Sequence, residues 1–288
     1  MNILEEIIKD KYKEVEERKS LYPVKLLEQS IYFQSPVVSL KKYVQREDKS
    51  GIIAEIKRKS PSKGIINAHV SVERTSIGYM QAGASALSVL TDSKYFGGSK
   101  EDLMIARKFN FCPILRKDFV VDEYQIIEAK SMGADAILLI AAALEPTKLA
   151  SLAAVARSLN LEILMEIHNE VELKDNLNAD VDLIGVNNRD LKTFKTELEI
   201  SKQLASKIPD HFVKVSESGI ENPETIIELR KYGYQGFLMG QNFMQTSRPE
   251  KACYEFVQEL KRLAGISKNS AYPSLPIAIG MEKGQGLR

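Results

Sequence analysis

One pattern of polar and apolar positions recurs along the chain: a helical stretch ends at a glycine, and a short apolar run follows. Three clear copies occupy residues 81–90, 131–140 and 231–240, and a weaker copy occupies residues 178–186. The glycine suits the left-handed cap that ends many helices, and the apolar run has the length of a buried strand. The pattern therefore predicts a repeated unit of helix, glycine and strand.

Four further apolar runs of strand length lie at residues 51–57, 113–117, 161–167 and 212–217, which makes eight in all. Most of them are followed by an amphipathic stretch of helical length, such as residues 147–158 and 223–231. Largely apolar strands that alternate with helices predict a parallel sheet. We expect an α/β protein whose sheet closes into a (β/α)8 TIM barrel; a doubly wound open sheet is the competing arrangement.

The two ends of the chain differ from this pattern. Near the start, apolar residues recur at helical spacing at Leu4, Ile7, Ile8, Tyr12 and Val15. We expect residues 1–49 to form a helical extension packed on the barrel, with a partner-binding helix as the alternative. Residues 50–264 would form the catalytic barrel. Glycines and prolines interrupt residues 265–288, which predicts an irregular tail.

Composition and charge narrow the class of protein. The chain has 288 residues, of which 44% are hydrophobic and 27% charged. That is enough for one large core, and barrels of this kind commonly have about 250 residues. Lys and Arg number 40 and Asp and Glu number 39, so the net charge is only +1. Such a chain has no excess positive field to hold a nucleic-acid backbone.

The cysteines and the N-terminus bear on the cellular compartment. Cys112 and Cys253 fit neither a metal-ligand spacing nor a disulfide framework, which indicates buried thiols in a reducing compartment. The first residues lack the layout of a signal peptide, and no apolar run approaches the ~20 residues that span a bilayer. We expect a cytoplasmic protein that is monomeric or weakly oligomeric, with neither nucleic acid nor membrane as a partner.

Charged and polar residues cluster at the predicted carboxyl ends of the strands, which is where a barrel of this kind carries its active site. Because strand residues two apart share a face, Glu55 and Lys57 both point inward. Later strands end in Lys117, Glu166, Asn187, Arg189 and Glu217. Burying charges without partners is costly, so the set is either a group of internal ion pairs or a prepared site.

Two glycine-containing loops follow the last two predicted strands. Ser218 and Gly219 come after the seventh strand, and Gly240 and Gln241 come after the eighth. These loops of the barrel often bind phosphate through backbone N–H groups, and Lys57 lies on a neighbouring strand of the closed sheet. We therefore expect a phosphate site formed by Lys57, Ser218, Gly219, Gly240 and Gln241.

Several common functions lack their motifs. His69, His168 and His211 offer no paired ligand spacing, so we expect no metal site. His168 follows Glu166 at a strand end. A hydrogen bond at the start of a helix is its favoured role, and support of the site from behind the residues that contact the substrate is the alternative. The Walker sequence, the dinucleotide fingerprint and the serine-hydrolase elbow are also missing from the chain.

Six motifs, taken in order, resemble those of the indole-3-glycerol-phosphate synthase family. They are EIKRKSPSKG at 55–64, SVLTD at 88–92 with FGG at 96–98, LRKDF at 115–119, EIH at 166–168, GVNNRDL at 185–191 and SESGI at 216–220. The resemblance implies closure of 1-(2-carboxyphenylamino)-1-deoxyribulose 5-phosphate to indole-3-glycerol phosphate, with loss of CO2 and water, in tryptophan biosynthesis. It implies no cofactor and one small phosphorylated substrate.

The resemblance also implies roles for individual residues. Lys117 would be the general acid that protonates the ribulose carbonyl oxygen during ring closure. Lys57, Glu166 and Glu55 would supply the acid and base of dehydration, in a division that the sequence leaves open. Asn187 and Ser218 would support them, and Arg189 would contact the anthranilate carboxylate. The remaining substrate contacts would be Ser60, Pro61, Phe96, Phe119, Leu138, Leu191 and Glu217.

One departure and two alternatives accompany this interpretation. Many family members carry a small or acidic residue where this chain has Gln241, which weakens that assignment but not the site, because the phosphate ligands there are largely backbone N–H groups. Phosphoribosylanthranilate isomerase, a barrel on a similar substrate, would need an acid–base pair of cysteine and aspartate, and Cys112 lies at the start of its strand, the wrong end of the barrel. A barrel that binds phosphate without turnover would not need the lysines and glutamates.

Residues 60–64 are expected to form a mobile loop over the substrate.

Overall fold

The computed structural model describes residues 3–177, 180–190 and 193–265. Over this part of the chain, strands and helices alternate as the sequence pattern predicts. The strands are β1 (Ile52–Ile56), β2 (Lys59–Ser60), β3 (Gly64–Ile65), β4 (Ala86–Leu90), β5 (Ile114–Lys117), β6 (Ala136–Ile140), β7 (Glu162–Ile167), β8 (Leu183–Asn187), β9 (Val213–Glu217) and β10 (Gly236–Met239).

The helices lie before, between and after these strands. They are α1 (Ile3–Leu21), α2 (Val24–Leu27), α3 (Leu40–Val44), α4 (Val72–Ala82), α5 (Lys100–Phe109), α6 (Glu123–Met132), α7 (Pro146–Ser158), α8 (Glu170–Asn176), α9 (Glu199–Ala205), α10 (Pro223–Lys231), α11 (Gln241–Met244) and α12 (Pro249–Leu263), with a short 3-10 helix at Ala141–Ala143. None of these described helices is long and apolar enough to cross a membrane.

Eight parallel strands close into a barrel in the order β1, β4, β5, β6, β7, β8, β9, β10 and back to β1. The expected (β/α)8 barrel is therefore confirmed, and the open doubly wound sheet is not formed. The small hairpin of β2 and β3 stands outside the barrel, in the segment that follows β1. Because all the strands are parallel, their carboxyl ends meet at one rim, and the side chains that follow them share one mouth.

Two apolar layers explain why the strands read as nearly continuous hydrophobic runs. Inside the barrel, side chains such as Ile53, Leu164 and Val215 pack against one another, and Leu40 and Val44 of α3 join this inner cluster. Alternate residues, such as Ile52 and Ala54, belong to a larger cluster shared with the surrounding helices. Both faces of the sheet are buried, which is the pattern expected of a closed parallel sheet.

Two glycines of the repeated helix–glycine–strand unit end helices as predicted. Gly83 caps α4 with φ 101° and Gly133 caps α6 with φ 86°. Both values lie in the left-handed region that a residue without a Cβ adopts at least cost. Each helix can therefore turn sharply into the next strand, β4 or β6.

The N-terminal segment packs on the barrel, as expected of an extension. Ile7 and Val15 of α1 are buried, but Tyr12 is 48% exposed, so this part of the predicted apolar stripe is wrong. Lys11 takes the buried position instead, at the spacing of four residues that places Ile7, Lys11 and Val15 on one face. Cys112 and Cys253 are buried free thiols, as expected. Residues 266–288 of the predicted tail lie outside the described residues.

Candidate active site

One cavity of about 840 Å³ opens at the carboxyl ends of the barrel strands. Every site residue predicted from the sequence lines it, except Leu191, which lies outside the described residues. Those lining residues are Glu55, Lys57, Ser60, Pro61, Phe96, Lys117, Phe119, Leu138, Glu166, Asn187, Arg189, Glu217, Ser218, Gly219, Gly240 and Gln241. The fold thus brings together side chains that are spread over 187 positions of sequence, from 55 to 241.

Glu55 and Lys57 form a pair on the first barrel strand and the residue after it. The Lys57 Nζ donates a hydrogen bond of 2.6 Å to Glu55 Oε1. Burial alone would raise the pKa of Glu55, but Lys57 and Lys117 outweigh burial and lower it. Glu55 is therefore an ionised carboxylate with an ammonium group at hydrogen-bond distance, an arrangement in which one group can give a proton and the other can take one.

Lys117 stands between two carboxyl groups from the far side of the barrel. Its Nζ lies 3.6 Å from Glu166 Oε2 and 3.6 Å from Glu217 Oε2. Burial would lower the pKa of Lys117, but the carboxylates around it, among them Glu166 and Glu55, more than compensate and raise it. Lys117 is therefore held as a cation at neutral pH, as the general-acid role requires.

Glu217 differs from its two acidic neighbours. Its burial, together with the charges of Glu166 and Glu55, raises its pKa to about 8 against the attraction of Lys117. Because carboxylates that share a site cannot all ionise cheaply, Glu217 is the member that keeps its proton. At neutral pH the mouth then holds Lys57, Lys117 and Arg189 as cations against two carboxylates, which favours an anionic ligand.

Glu166 is oriented by a chain of polar groups from the next strands. Asn187 Nδ2 donates a hydrogen bond of 3.1 Å to Glu166 Oε1, and Ser218 Oγ donates one of 2.9 Å to Asn187 Oδ1. Burial would raise the pKa of Glu166, whereas Lys117 and His168 lower it. Asn187 and Ser218 thus hold a carboxylate in place, as expected of supporting polar groups.

Arg189 reaches across the mouth to loops from both ends of the barrel sequence. Its Nη1 donates to Ser62 Oγ at 3.1 Å, and its Nη2 donates to Gln241 Oε1 at 3.4 Å. Both acceptors are neutral and the second bond is long. A substrate carboxylate would be a stronger acceptor for the same two nitrogens, because a guanidinium fork matches a carboxylate in shape and charge.

The predicted phosphate loops lie side by side. Ser218 has φ 68° and Gly219 has φ 77°. A serine in this region is strained, and such strain concentrates where a backbone meets a ligand. Gly240 precedes the short helix α11, and a Cβ on it would come within 2.8 Å of Glu55, so a side chain there would displace the carboxylate.

Apolar side chains form one wall of the cavity. The rings of Phe96 and Phe119 are 5.9 Å apart at an interplanar angle of 39°. Pro61 and Leu138 line the same space. A planar aromatic group would fit against such a wall. Pro61 lies at the tip of the hairpin formed by β2 and β3, whose mobility stays a prediction.

Sequence reasoning missed two groups of lining residues. Ile3, Leu4 and Ile7 place the start of α1 at the mouth of the cavity. Periodicity indicated a buried stripe on this helix but could not tell which end of the barrel it covers. A second group, formed by Phe194, Thr196 and Leu198, follows β8 and carried no motif. Among residues 3–177, 180–190 and 193–265, no group of three His, Cys, Asp or Glu side chains could hold a metal ion.

The comparisons with known proteins agree on one family. The family model described as indole-3-glycerol phosphate synthase matches residues 4–256. A protein of that name from Bacteroides thetaiotaomicron is 46% identical over 260 residues, which cover 90% of this chain and 99% of the relative. One from Campylobacter fetus is 41% identical over 259 residues, with 90% and 99% coverage.

Two solved structures share the barrel at low sequence identity. A structure described as native KDPGal has a TM-score of 0.55 and 14% identity, and covers 77% of this chain and 97% of its own. A thiamine phosphate pyrophosphorylase from Pyrococcus furiosus gives 0.55 and 14%, with 77% and 99% coverage. At this level of identity the likeness extends to the fold alone.

Proposed function

The chain belongs to the indole-3-glycerol phosphate synthase family of carboxy-lyases in tryptophan biosynthesis, and we propose that the residues at its barrel mouth divide the three steps of that reaction. The substrate is 1-(2-carboxyphenylamino)-1-deoxyribulose 5-phosphate, and the products are indole-3-glycerol phosphate, CO2 and water. The observation that carries the proposal is that the two lysines have different carboxylate neighbours. Lys117 lies beside Glu166, whereas Lys57 donates a hydrogen bond to Glu55.

Lys117 is the acid of ring closure. The ring carbon that bears the carboxylate attacks the ribulose carbonyl carbon, and the carbonyl oxygen gains charge as the new bond forms. The ammonium group of Lys117 stabilises that charge and gives the oxygen its proton, leaving a hydroxyl group. Glu166 supports this role because its carboxylate, 3.6 Å away, favours the charged form of the lysine.

Decarboxylation follows from the chemistry of the intermediate. The ring carbon that made the attack now has four single bonds, so the ring has lost its aromatic character. When CO2 leaves, the electrons of the carbon–carbon bond return to the ring and restore it. The protein contributes an apolar wall, including Phe96 and Phe119, against which a bound carboxylate is poorly solvated and leaves more readily as neutral CO2.

The pair of Lys57 and Glu55 is assigned to dehydration. Lys57 gives a proton to the departing hydroxyl group, which leaves as water. Glu55 takes a proton from the neighbouring CH2 group, and the indole double bond forms. Because the two groups are 2.6 Å apart, the proton collected by Glu55 can return to Lys57, and the pair ends the step as it began.

The remaining groups orient the substrate. Backbone N–H groups around Gly219 and Gly240 would hold the phosphate at one end of the cavity. Arg189 would hold the anthranilate carboxylate until ring closure brings it to the point of departure. Holding both ends fixes the ring carbon against the carbonyl carbon, which is where most of the advantage of positioning arises.

The proposal is tested by following CO2 and indole together. Purified protein is mixed with the substrate while released CO2 and indole fluorescence are recorded. The native protein should give both in equal amounts. The Lys57→Met variant should still release CO2 in its first turnover, while indole formation falls by at least about 10²-fold because the acid of dehydration is gone.

The matched control for this variant is Lys59→Met, which removes a lysine two positions away whose Nζ contacts the Lys94 carbonyl oxygen outside the cavity. It should behave as the native protein. No indole from well-folded native protein would refute the activity. Equal loss of CO2 and indole in Lys57→Met would refute the division of roles and leave the activity standing.

A further inference from the structure

His168 stands between the catalytic carboxylate Glu166 and the protein surface. Its Nε2 lies 3.5 Å from Glu166 Oε1, and its Nδ1 lies 3.2 Å from Glu172 Oε2. The Nε2 atom is buried and has no hydrogen-bond partner within the described part of the chain. A small rotation of the ring would bring Nε2 within hydrogen-bond reach of Glu166.

Glu172 continues this line of groups to a second cavity. That cavity, of about 460 Å³, lies beside the 3-10 helix and α8, and Glu172, Asp175, Asn176, Lys148 and Tyr12 are among its lining residues. The side chain of Glu172 is 19% exposed, whereas that of Glu166 is 4% exposed. The groups Lys117, Glu166, His168 and Glu172 therefore form a continuous series from the barrel mouth to a separate, water-accessible space.

The helix start alone does not account for the His168 ring. The backbone N–H of His168 already donates to Glu172 Oε2 at 2.8 Å, and the Asn169 side chain caps α8 by accepting from the Glu172 N–H. The predicted hydrogen bond at the helix start is thus made by the backbone. The imidazole adds a second link, between two carboxylates that have no direct contact with each other.

The proposed reaction needs a proton at Lys117, the end of this series that lies in the barrel mouth. The substrate carries a carboxylate, whereas CO2 and water are neutral, so each turnover consumes one proton. The dehydration pair gives one proton and takes one, which leaves no net change at Lys57 and Glu55. Lys117 is therefore the group that has lost a proton at the end of a turnover, and it must regain one before the next ring closure.

We propose that Glu172 and His168 return this proton to Lys117 through Glu166, a role that rests on the proposed function of Lys117. A proton from water in the second cavity is taken by Glu172 and passed to His168 Nδ1. His168 Nε2 then releases its proton to Glu166 Oε1, and the Glu166 carboxyl group turns about its Cγ–Cδ bond and gives that same proton to the neutral amine of Lys117. Glu172 and Glu166 end as they began, whereas the imidazole ends with its proton on Nδ1. Rotation of the ring toward the second cavity lets water exchange return it to the Nε2–H form, and the net change is one proton moved from water to Lys117.

The electrostatics around His168 suit a proton carrier. Burial would lower the pKa of the ring, but Glu172 and Glu166 raise it above its ordinary value of 6.5. The ring therefore accepts a proton readily at neutral pH. Asn187 donates to Glu166 Oε1, the same oxygen that faces His168 Nε2, and so orients this oxygen toward the ring.

The test separates the first turnover from later ones. In His168→Gln and Glu172→Gln, Lys117 begins charged, so a rapid-mixing experiment should show one indole per active site formed at the native rate. Later turnovers need recharging, and the steady-state rate should fall on the order of tenfold, the low end of what proton-transfer groups contribute. In His168→Ala, added imidazole should restore part of the steady-state rate.

Asp175→Asn is the matched control, because Asp175 lines the same cavity and is exposed but lies outside the series. It should leave both phases unchanged. If His168→Gln folds poorly, Glu172→Gln carries the test, since it keeps the histidine ring. The relay is overturned if the first turnover slows as much as the later ones, which would indicate a structural role, or if the steady-state rate does not change. Either result leaves indole formation in the first turnover as a separate check on the proposed function.

Discussion

At the scale of single residues, the cavity holds three glutamates near Lys117, and the fold lowers the pKa of Glu55 and Glu166 but raises that of Glu217. Motif resemblance and strand-end position identified Lys117, Glu166 and Glu217 as cavity residues. The sequence could not show that Lys117 lies 3.6 Å from each of the two glutamates, because those distances depend on the closure of the barrel. The consequence is that Glu217 keeps its proton at neutral pH, whereas Glu55 and Glu166 are ionised.

Glu217→Gln should stabilise the protein at alkaline pH. The folded protein raises the pKa of Glu217 from 4.5 to about 8. Between these values the folded state holds a proton that the unfolded state has lost, so the native protein loses stability as pH rises through this range. Glutamine cannot ionise and avoids that loss. The free energy of unfolding, measured by urea denaturation, should favour the variant increasingly from pH 6 to pH 8, by on the order of 2 kcal/mol.

The comparison at pH 5, where both proteins are neutral at position 217, is the internal control. There the difference in unfolding free energy should be smallest. A constant difference between pH 5 and pH 8 would contradict a raised pKa for Glu217 and would mean that this glutamate is ionised beside Lys117.

At the scale of elements, the N-terminal helix α1 shows where pattern reasoning ends. The stripe of apolar residues correctly predicted a helix that packs on the barrel. The stripe did not reveal Lys11, whose Nζ contacts Asp92 Oδ2 at 2.9 Å and Asp118 Oδ1 at 3.0 Å in the interior. The burial of Lys11 could not be predicted from the sequence, because Asp92 and Asp118 are brought to it by the fold from 81 or more positions away.

Lys11→Met should destabilise the protein by about 3–5 kcal/mol, because it leaves Asp92 buried without its cation and Asp118 with Arg116 alone. Lys11 is 2% exposed, so solvent cannot replace the lost partner. Since Ile3, Leu4 and Ile7 of the same helix line the cavity, the KM for substrate should also rise. Urea denaturation and steady-state kinetics measure the two effects.

Lys13→Met, which removes an exposed lysine from the same helix, is the control. It should change neither stability nor KM. A Lys11→Met protein as stable as this control would show that the buried charges do not hold α1 to the barrel.

At the scale of the whole molecule, the eight strands were predictable because each has a short apolar run and a nearby helix signal. The number of strands left an open sheet as the alternative; the structure closes the sheet into a barrel, and closure determines the site. Gly240, near the end of the barrel sequence, packs against Glu55 from the first strand. The contributions of Phe194, Thr196 and Leu198 could not be predicted, because they lie in a segment without periodicity or motif.

The measurement that tests the central claim most directly is a comparison of binding and turnover in Lys117→Met. Binding is followed by the fluorescence of the substrate's anthranilate ring, and turnover is followed by CO2 release and indole formation. We predict that the Kd changes by less than about tenfold while both products fall by at least about 10²-fold, because ring closure loses its acid. A variant that loses binding and turnover equally, or one that still closes the ring at the native rate, would contradict the account.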